Sequence, residues 1–286
     1  MWDNAILDNQ INLKRNMDEP SKKNIIGIVG GMGPVAGVDL ASKIISQTIA
    51  SGDQEHLPFV LHSFPNEIGD RTAYILAHGN KTALEDGNPG VAIARALMQM
   101  EQTGATVAGM ACNSAHAPVI FDRIVSELKA NESRINLLHM VREVGWHIVY
   151  NLTGVRKVGI VGTTGTRASG LYGILGEFGL EVMDVTDDEQ EALQLAIYAP
   201  EYGIKAAPDG TSPGAVNILT GICRSLRARG AEAVVFGCTE FPLAYREPEI
   251  EGLPVIDSSL VLARALVRAG DPERLRPWGD ASVTLS

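Results

Sequence analysis

The amino-acid sequence predicts an α/β protein of two similar domains, each with a buried parallel sheet flanked by helices, and the pair related by a pseudo-twofold axis. Short apolar runs alternate with longer segments of helical spacing along most of the chain. This rhythm is typical of strand–helix units in parallel sheets. The runs are IIGIVG (25–30), PFVLHS (58–63), TVAGMA (106–111), LLHM (137–140), KVGIVG (157–162), LEVMDV (180–185), AVVFG (233–237) and PVID (254–257).

Two motifs occur once in each half of the chain. GIVGGMGP (27–34) is similar to GIVGTTGT (159–166), and ACNSAHAP (111–118) is similar to GCTEFPLA (237–244). Each half therefore opens with a strand, a Gly-rich loop and a helix, and later places a cysteine at the end of a strand. Open α/β sheets bind ligands at the carboxyl ends of their strands. Two such domains facing each other would bring both cysteines to one cleft.

The repeat sets the expected domain boundaries. We place a polar, loosely ordered tail at residues 1–23, a first domain at 24–134 and a second domain at 135–251. Residues 252–286 are expected to complete the first domain. The tail lacks the apolar core of a signal peptide, and its acidic residues argue against a transit peptide.

Composition excludes several classes of partner. The chain has 24 basic and 34 acidic residues and a net charge of −10, so it has no bulk attraction for nucleic acid or for anionic membranes. No apolar run approaches the roughly 18 residues that a membrane helix needs. Three cysteines without export signals indicate reduced thiols and a cytoplasmic location.

The first Gly-rich loop runs from Gly27 to Gly33. A dinucleotide-binding loop would need G-x-G-x-x-G spacing and an acidic residue after the second strand, and neither is met. We expect a tight turn whose backbone N–H groups, at Met32 and Gly33, approach a small carboxylate. Close packing of helix on strand is the structural alternative.

The cysteines Cys112 and Cys238 are the most informative residues. Each is the last residue of a strand and precedes a polar turn, and the coincidence in both halves favours a shared chemical role. A helix N-terminus stabilises a thiolate, so we expect the pKa of these thiols to be lowered. Cys223 lies among apolar neighbours in the helical segment ILTGICRSL and is predicted to be structural.

Two other kinds of site fit less well. Cys112 and His116 are four residues apart, but no further Cys/His cluster supplies the three or four ligands of a zinc site, so no metal is predicted. The same pair could serve a cysteine hydrolase, which would leave the second cysteine unexplained. No G-x-S-x-G motif indicates a serine hydrolase.

Two cations lie in loops that could border the cleft. Arg71 follows a strand in GDRTAY, and Lys205 follows a helical run in YAPEYGIKAAPDG. A solvated surface charge is the common role of such residues. Their Gly- and Pro-rich surroundings keep a role in binding open.

From about Ile25 to Val267 the sequence resembles the aspartate/glutamate racemase superfamily, and most closely its aspartate racemase branch. The matching stretches are IIGIVGGMGP, DQEHLP, GDRTAYI, ACNSAH, LLHM, KVGIVGTTGT, DDEQ, GCTEFPL and VID. The resemblance implies a four-stranded parallel sheet in each half and a pyridoxal-independent two-base racemase that is commonly a homodimer. The sequence departs from the family at Ser114, where threonine is usual, and in a longer loop around Lys205.

The resemblance also implies roles for single residues. Cys238 would take the α-proton from the L-enantiomer, and Cys112 would take it from the D-enantiomer. Asn113, Ser114 and Thr239 match residues that hold the α-carboxylate and amine, while Arg71 and Lys205 match residues that bind the side-chain carboxylate. The full predicted substrate-binding set is Met32, Gly33, Arg71, Asn113, Ser114, Thr163, Lys205, Thr239 and Glu240.

The expected function is therefore a cofactor-free racemase of aspartate, with glutamate as a second acidic substrate. Inversion requires one group to remove the α-proton from one face and another to return a proton to the opposite face, and two cysteines suit this task. The enzymatic alternatives are a hydantoin racemase, a maleate isomerase or a decarboxylase of the same superfamily. The non-enzymatic alternative is a two-domain small-molecule binding protein.

Overall fold

A computed structural model describes residues 24–79, 87–207 and 209–279 of the chain. The predicted tail, residues 1–23, lies outside them. The described residues form two sheets flanked by helices, which confirms the predicted α/β fold. No helix in the described ranges is both long and apolar enough to span a membrane.

The first sheet contains four parallel strands in the order β2-β1-β3-β4. Its strands are β1 (Ile25–Val29), β2 (Phe59–His62), β3 (Ala105–Met110) and β4 (Asn136–Leu137). The helices of this part of the chain are α1 (Pro34–Gln47), α2 (Arg71–His78), α3 (Pro89–Gln102) and α4 (Pro118–Ala130). Three of the four begin with proline, whose missing N–H is not needed in the first turn of a helix.

The second sheet repeats this plan. Its parallel strands are β5 (Lys157–Gly162), β6 (Glu181–Met183), β7 (Ala233–Gly237) and β9 (Leu253–Asp257), in the order β6-β5-β7-β9. A short antiparallel strand, β8 (Glu249–Ile250), is added at the edge beyond the four predicted strands. The remaining helices are α5 (Met140–Asn151), α6 (Thr164–Ala168), α7 (Asp187–Tyr198), α8 (Pro213–Ala228), α9 (Phe241–Ala244) and α10 (Ser258–Gly270).

Both sheets are covered on both faces, which explains why their strands are continuous apolar runs. The first sheet lies between α3 and α4 on one face and α1 and α10 on the other. The second lies between α7 and α8 on one face and α5 with the 3-10 helix Leu171–Phe178 on the other. The central strand β7 is buried along its whole length.

Two helices cross between the halves. Helix α5 follows β4 of the first sheet, but its Val144 and Ile148 pack in the core of the second sheet. Helix α10 follows β9 of the second sheet, but its Leu262 and Leu266 pack in the core of the first. The boundaries predicted at residues 134 and 251 precede both crossings, and the domain division itself stays a prediction.

A buried ionic cluster joins the halves near the second crossing. Lys43 on α1 is 4% exposed and contacts Asp39 one turn earlier. Its Nζ also lies 2.7 Å from Oδ2 of Asp257, which ends β9 and caps α10. Because an unpaired buried charge is strongly unfavourable, this cluster fixes α1 against the end of the second sheet.

Candidate active site

The repeated motifs bring both cysteines to one cleft at the carboxyl ends of β3 and β7. Cys112 lies two residues after the end of β3 and precedes a 3-10 turn, Asn113–His116, while Cys238 directly follows β7. Each is 7% exposed. The cleft is lined by Met32, Arg71, Cys112, Asn113, Ser114, Thr163, Thr166, Tyr198, Lys205, Gly237, Cys238, Thr239 and Glu240.

All but one of the predicted site residues line this cleft, and Gly33 lies directly against it. A Cβ at Gly33 would collide with the Glu240 carboxylate and would lie 3.1 Å from Lys205 Nζ. Glycine at this position therefore makes room for two charged side chains from the other half of the chain. The bare backbone serves close approach of protein groups, and the contact with a small carboxylate expected from the sequence stays a prediction.

Three aromatic or hydroxyl side chains at the site were missed by sequence reasoning. Tyr198, the last residue of α7, reaches the cleft, and burial together with Cys238 and Cys112 holds the pKa of its phenol above the usual range. Thr166 lines the cleft beside Thr163, whose hydroxyl accepts a hydrogen bond from the Thr166 backbone N–H at 3.1 Å. Thr166 could have been found from the repeated TTGT loop, whereas nothing near Tyr198 in the sequence marks it.

The third missed residue, Tyr172, acts through Asn113. Its hydroxyl donates to Asn113 Oδ1 at 2.7 Å, and Asn113 Nδ2 donates to Ser258 Oγ at 3.0 Å. Ser258 Oγ in turn donates to the Phe236 carbonyl at 2.7 Å. Asn113 was predicted to hold substrate, but both ends of its amide bind protein partners, and these ties fix the turn after Cys112 against the second half.

The Cys112 thiol lies beside a hydroxyl. Its Sγ lies 3.3 Å from Ser114 Oγ. His116 does not contact the thiol; its Nδ1 donates to the Cys112 carbonyl at 2.9 Å. Burial, and then the neighbouring His139, lower the pKa of His116 to about 3, so this imidazole is neutral. A Cys–His catalytic pair therefore has no geometric support at this cysteine.

The Cys238 thiol has different electrostatic surroundings, because charged side chains act on it. Burial, and then the negative charge of Glu240, raise the pKa of Cys238 to about 12, against smaller lowering effects of the Glu240 backbone N–H and of Lys205. The expectation that a helix N-terminus would lower this pKa is wrong. The helix that follows, α9, has only four residues, and its few free N–H groups cannot offset burial beside a carboxylate.

Thr239 ties the second half to the first. Its hydroxyl donates to the carbonyl of Ala111, the residue before Cys112, at 3.2 Å. The residue after each cysteine thus forms a hydrogen bond across the two halves, since Asn113 contacts Tyr172 and Ser258 in the same way. These bonds hold the two cysteine loops in a fixed relation.

Two cations border the cleft, as the sequence predicted. Arg71 begins α2, and its two Nη atoms donate to the Gly69 and Met32 carbonyls at 2.9 and 2.6 Å. The buried Nε of Arg71 has no partner within the described residues, so it is available to an acceptor. Lys205 is not free: its Nζ lies 2.6 Å from Glu240 Oε1, and the Glu240 side chain is 5% exposed.

The described residues contain no group of three or more His, Cys, Asp or Glu side chains arranged to hold a metal ion. Cys223 is fully buried in the core of the second half and does not line the cleft, and burial raises its pKa to about 12. Its placement among apolar neighbours makes it an internal reference for the two cleft thiols.

The chain thus has the architecture of a two-domain α/β protein, in which each half carries a cysteine after its third strand and both cysteines line one shared cleft. The chain belongs to the Asp/Glu/Hydantoin racemase family, whose family model matches residues 29–266. The aspartate racemase of Picrophilus torridus is similar at 30% identity, with a TM-score of 0.68 and coverage of 86% of this chain and 94% of that one.

Two further solved structures are similar over most of their length. An aspartate racemase homologue from Pyrococcus horikoshii OT3 has 25% identity and a TM-score of 0.64, with coverage of 87% of this chain and 99% of that one. A glutamate racemase from Francisella tularensis, solved with D-glutamate, has 15% identity and a TM-score of 0.58, with coverage of 89% and 84%. The second likeness concerns the fold alone.

Proposed function

We propose that this chain interconverts L- and D-aspartate, with glutamate as a longer alternative, by a two-cysteine mechanism that needs no pyridoxal cofactor. The observation that carries the proposal is the cleft itself: Cys112 and Cys238 line it together with Arg71 and Lys205. Two acid/base groups suit inversion at the α-carbon, and two cations suit a substrate with two carboxylates. The similarity to the Picrophilus torridus aspartate racemase supports the same substrate class.

In this mechanism one cysteine is a thiolate and the other a thiol at the start of each turnover. Cys238 takes the α-proton from the L-enantiomer while Cys112 returns one to the opposite face, and the roles reverse for the D-enantiomer. The raised pKa of Cys238 favours its thiol form, which suits it to donate a proton in the D-to-L direction. Proton transfer by positioned groups contributes typically 10²–10⁴-fold to such rates.

Removal of the α-proton places negative charge on the α-carboxylate oxygens. The hydroxyls of Ser114 and Thr163 and the backbone N–H groups after the two cysteines line the same cleft and supply donors for that charge. Arg71 suits the side-chain carboxylate, because its Nε is unpartnered in the described structure and its two Nη atoms are fixed by carbonyls. Such charge-assisted hydrogen bonds are among the stronger ones in proteins.

A direct assay tests the proposal. The purified chain is incubated separately with L- and D-aspartate, L- and D-glutamate, a 5-substituted hydantoin and maleate, and the products are resolved on a chiral column. We expect aspartate to approach an equal mixture from either enantiomer, before and after treatment with EDTA and dialysis. A matched variant, Arg71→Ala, should lose ten-fold or more in kcat/KM for aspartate, as about 1.5–3 kcal/mol is expected for a charged contact.

Three outcomes would contradict it. Turnover of the hydantoin or of maleate without turnover of aspartate would assign the chain to another activity of its superfamily. Binding of aspartate without turnover of any of these compounds would support the binding-protein alternative. Loss of activity on chelation, restored by a metal, would contradict the cofactor-free mechanism.

We further propose a cytoplasmic homodimer. Helix α1 carries apolar side chains at Val35, Val38 and Ile45 that are 39%, 59% and 43% exposed, and an exposed apolar strip of this kind supports an interface with a second copy. The three free cysteines support a reducing compartment. Light scattering after size-exclusion chromatography would measure the oligomeric state.

A further inference from the structure

The charges of the cleft are matched in number to those of an acidic amino acid. Among the described residues that line it, Arg71 and Lys205 are the cations, and Glu240 alone carries a carboxylate. An acidic amino acid carries two carboxylates and one ammonium group. The cleft therefore holds two charges that suit the carboxylates and one that suits the ammonium.

The three charged groups meet at one short segment of the first half. The Met32 carbonyl accepts a hydrogen bond from Arg71 Nη2 at 2.6 Å. The next residue, Gly33, packs against the Lys205–Glu240 pair so closely that no Cβ would fit. Arg71 and the Lys205–Glu240 pair thus contact adjacent residues, so a substrate bound by Arg71 lies near both members of the pair.

We propose that Lys205 and Glu240, which bind each other in this structure, exchange partners when an acidic amino acid binds: Lys205 turns to a substrate carboxylate and Glu240 takes the α-ammonium group. This inference rests on the proposed function, and it gives Glu240 the task of selecting amino acids over other dicarboxylic acids. The mobile partner is Lys205, whose side chain is 26% exposed, whereas Glu240 is 5% exposed and held against Gly33.

The exchange follows from the energetics of a partly buried ion pair. Separating Lys205 from Glu240 leaves a buried carboxylate without a counter-charge, which is strongly unfavourable. A ligand with two carboxylates and an ammonium replaces both lost contacts. A dicarboxylic acid that lacks the ammonium can bind Lys205 only by leaving Glu240 unpaired. The Lys205–Glu240 pair therefore lowers the affinity for such a ligand.

Cys238 connects this exchange to the chemistry. The negative charge of Glu240 is the second cause, after burial, of the raised pKa of this thiol. In this structure Lys205 offsets part of that charge. The substrate ammonium takes the place that Lys205 leaves, so Glu240 keeps a counter-charge beside Cys238 while the substrate is bound.

Calorimetry with L-aspartate and succinate, which is aspartate without its amino group, tests the proposal independently of turnover. In Glu240→Gln we expect aspartate to bind about ten-fold more weakly, because its ammonium loses a charge-assisted contact. We expect succinate to bind several-fold more tightly, because Lys205 is released from a competing carboxylate. Opposite shifts for the two ligands are the signature of the exchange.

Lys205→Gln is the reciprocal variant, and it keeps the test informative if Glu240→Gln does not fold. Both ligands should bind more weakly, because a cation is lost. The ratio of the succinate Kd to the aspartate Kd should exceed that of the wild-type chain, because Glu240 is released from Lys205 and is free to bind the ammonium group. Circular dichroism and thermal denaturation check that each variant is folded.

Several results would overturn the proposal. If both ligands weaken in Glu240→Gln, Glu240 only positions Lys205; if both tighten, it only competes for Lys205. An unchanged or narrower preference in Lys205→Gln would also overturn it. Shifts in the same direction in a chain that racemises aspartate would leave the proposed function intact, whereas a wild-type chain that binds neither ligand would contradict both.

Discussion

Cys112 and Cys238 follow corresponding strands of the two sheets, but the side chains two places later differ. Ser114 lies 3.3 Å from the Cys112 sulfur, whereas Glu240 adds a buried carboxylate to the field at Cys238. The pKa of Cys238 is raised to about 12 as a result of burial and of that carboxylate. Equivalent positions in a repeated fold thus carry thiols in chemically different surroundings.

The difference shows that a repeated fold keeps the position of each cysteine but does not determine its chemical surroundings. The strand and the Gly-rich loop determine where each cysteine lies, while neighbouring side chains determine its charge state. A two-base racemase needs one proton donor and one acceptor at a time, so unequal surroundings are compatible with the reaction. The inequality of the two thiols can be tested, and the largest expected effect is on racemisation itself.

Replacing either cleft cysteine by serine should lower racemisation of aspartate on the order of 10³-fold, because a hydroxyl is too weak an acid to supply the needed base. Each variant should still eliminate a leaving group from a β-substituted substrate, since elimination needs only one base. Cys112→Ser should act on the L-form and Cys238→Ser on the D-form, as a chiral assay of the remaining substrate would show.

Cys223→Ser is the matched control for these variants and should racemise at close to the wild-type rate. Wild-type activity in either cleft variant would contradict the two-thiol mechanism. A swapped choice of enantiomer, with both variants inactive in racemisation, would reverse only the assignment of the two faces.

Alkylation by iodoacetamide reports the charge state of the Cys238 thiol, since the thiolate is the reacting form. With a pKa near 12, Cys238 should react more slowly than a peptide thiol at about pH 8, and its rate should still be rising at about pH 10, where the peptide thiol has reached a plateau. Peptide mass spectrometry would follow each cysteine separately.

Glu240→Gln should accelerate alkylation of Cys238 and leave Cys223 unchanged, although burial raises the pKa of Cys223 to about 12 as well. Cys223 thus reports any general loosening of the fold. Equal acceleration at both cysteines would show that the carboxylate does not act on Cys238 through its charge.

The smallest expected effect concerns the hydrogen bond that ties Asn113 to the second half. Tyr172→Phe removes the donor to Asn113 Oδ1 and should lower the free energy of unfolding by about 1–2 kcal/mol, measured by urea denaturation. Tyr74→Phe is the control: the buried Tyr74 hydroxyl has no hydrogen-bond partner within the described residues, so its loss should be neutral or stabilising. Equal effects of the two variants would contradict the role given to Tyr172.

The cysteines could be predicted from sequence because a repeat marks them twice and because strand ends converge at one edge of a parallel sheet. The same logic led to Thr163 and the loop at Met32 and Gly33. The additional strand β8 could not be predicted, since two residues at a sheet edge leave no periodic pattern.

Charge pairs and other contacts between distant parts of the chain could not be predicted from the sequence for a different reason. Lys205 and Glu240 are far apart in the chain and lie on separate elements, so their pairing depends on how the loop after α7 folds back over β7. Tyr198 and Tyr172 reach the site in the same indirect way. Burial of Cys238 beside Glu240 outweighs the helix-terminus effect, which a local pattern overestimates.

The crossing of α5 and α10 bears on how such a protein can evolve and be engineered. Each half completes the other's core, since α5 packs on the second sheet and α10 on the first. Neither half should fold when expressed alone, and a chimaera that exchanges one half with a homologue would have to match two foreign helix interfaces at once. After the ancestral duplication that the repeat suggests, the two halves would therefore be inherited together, because exchange of one half alone would disrupt both cores.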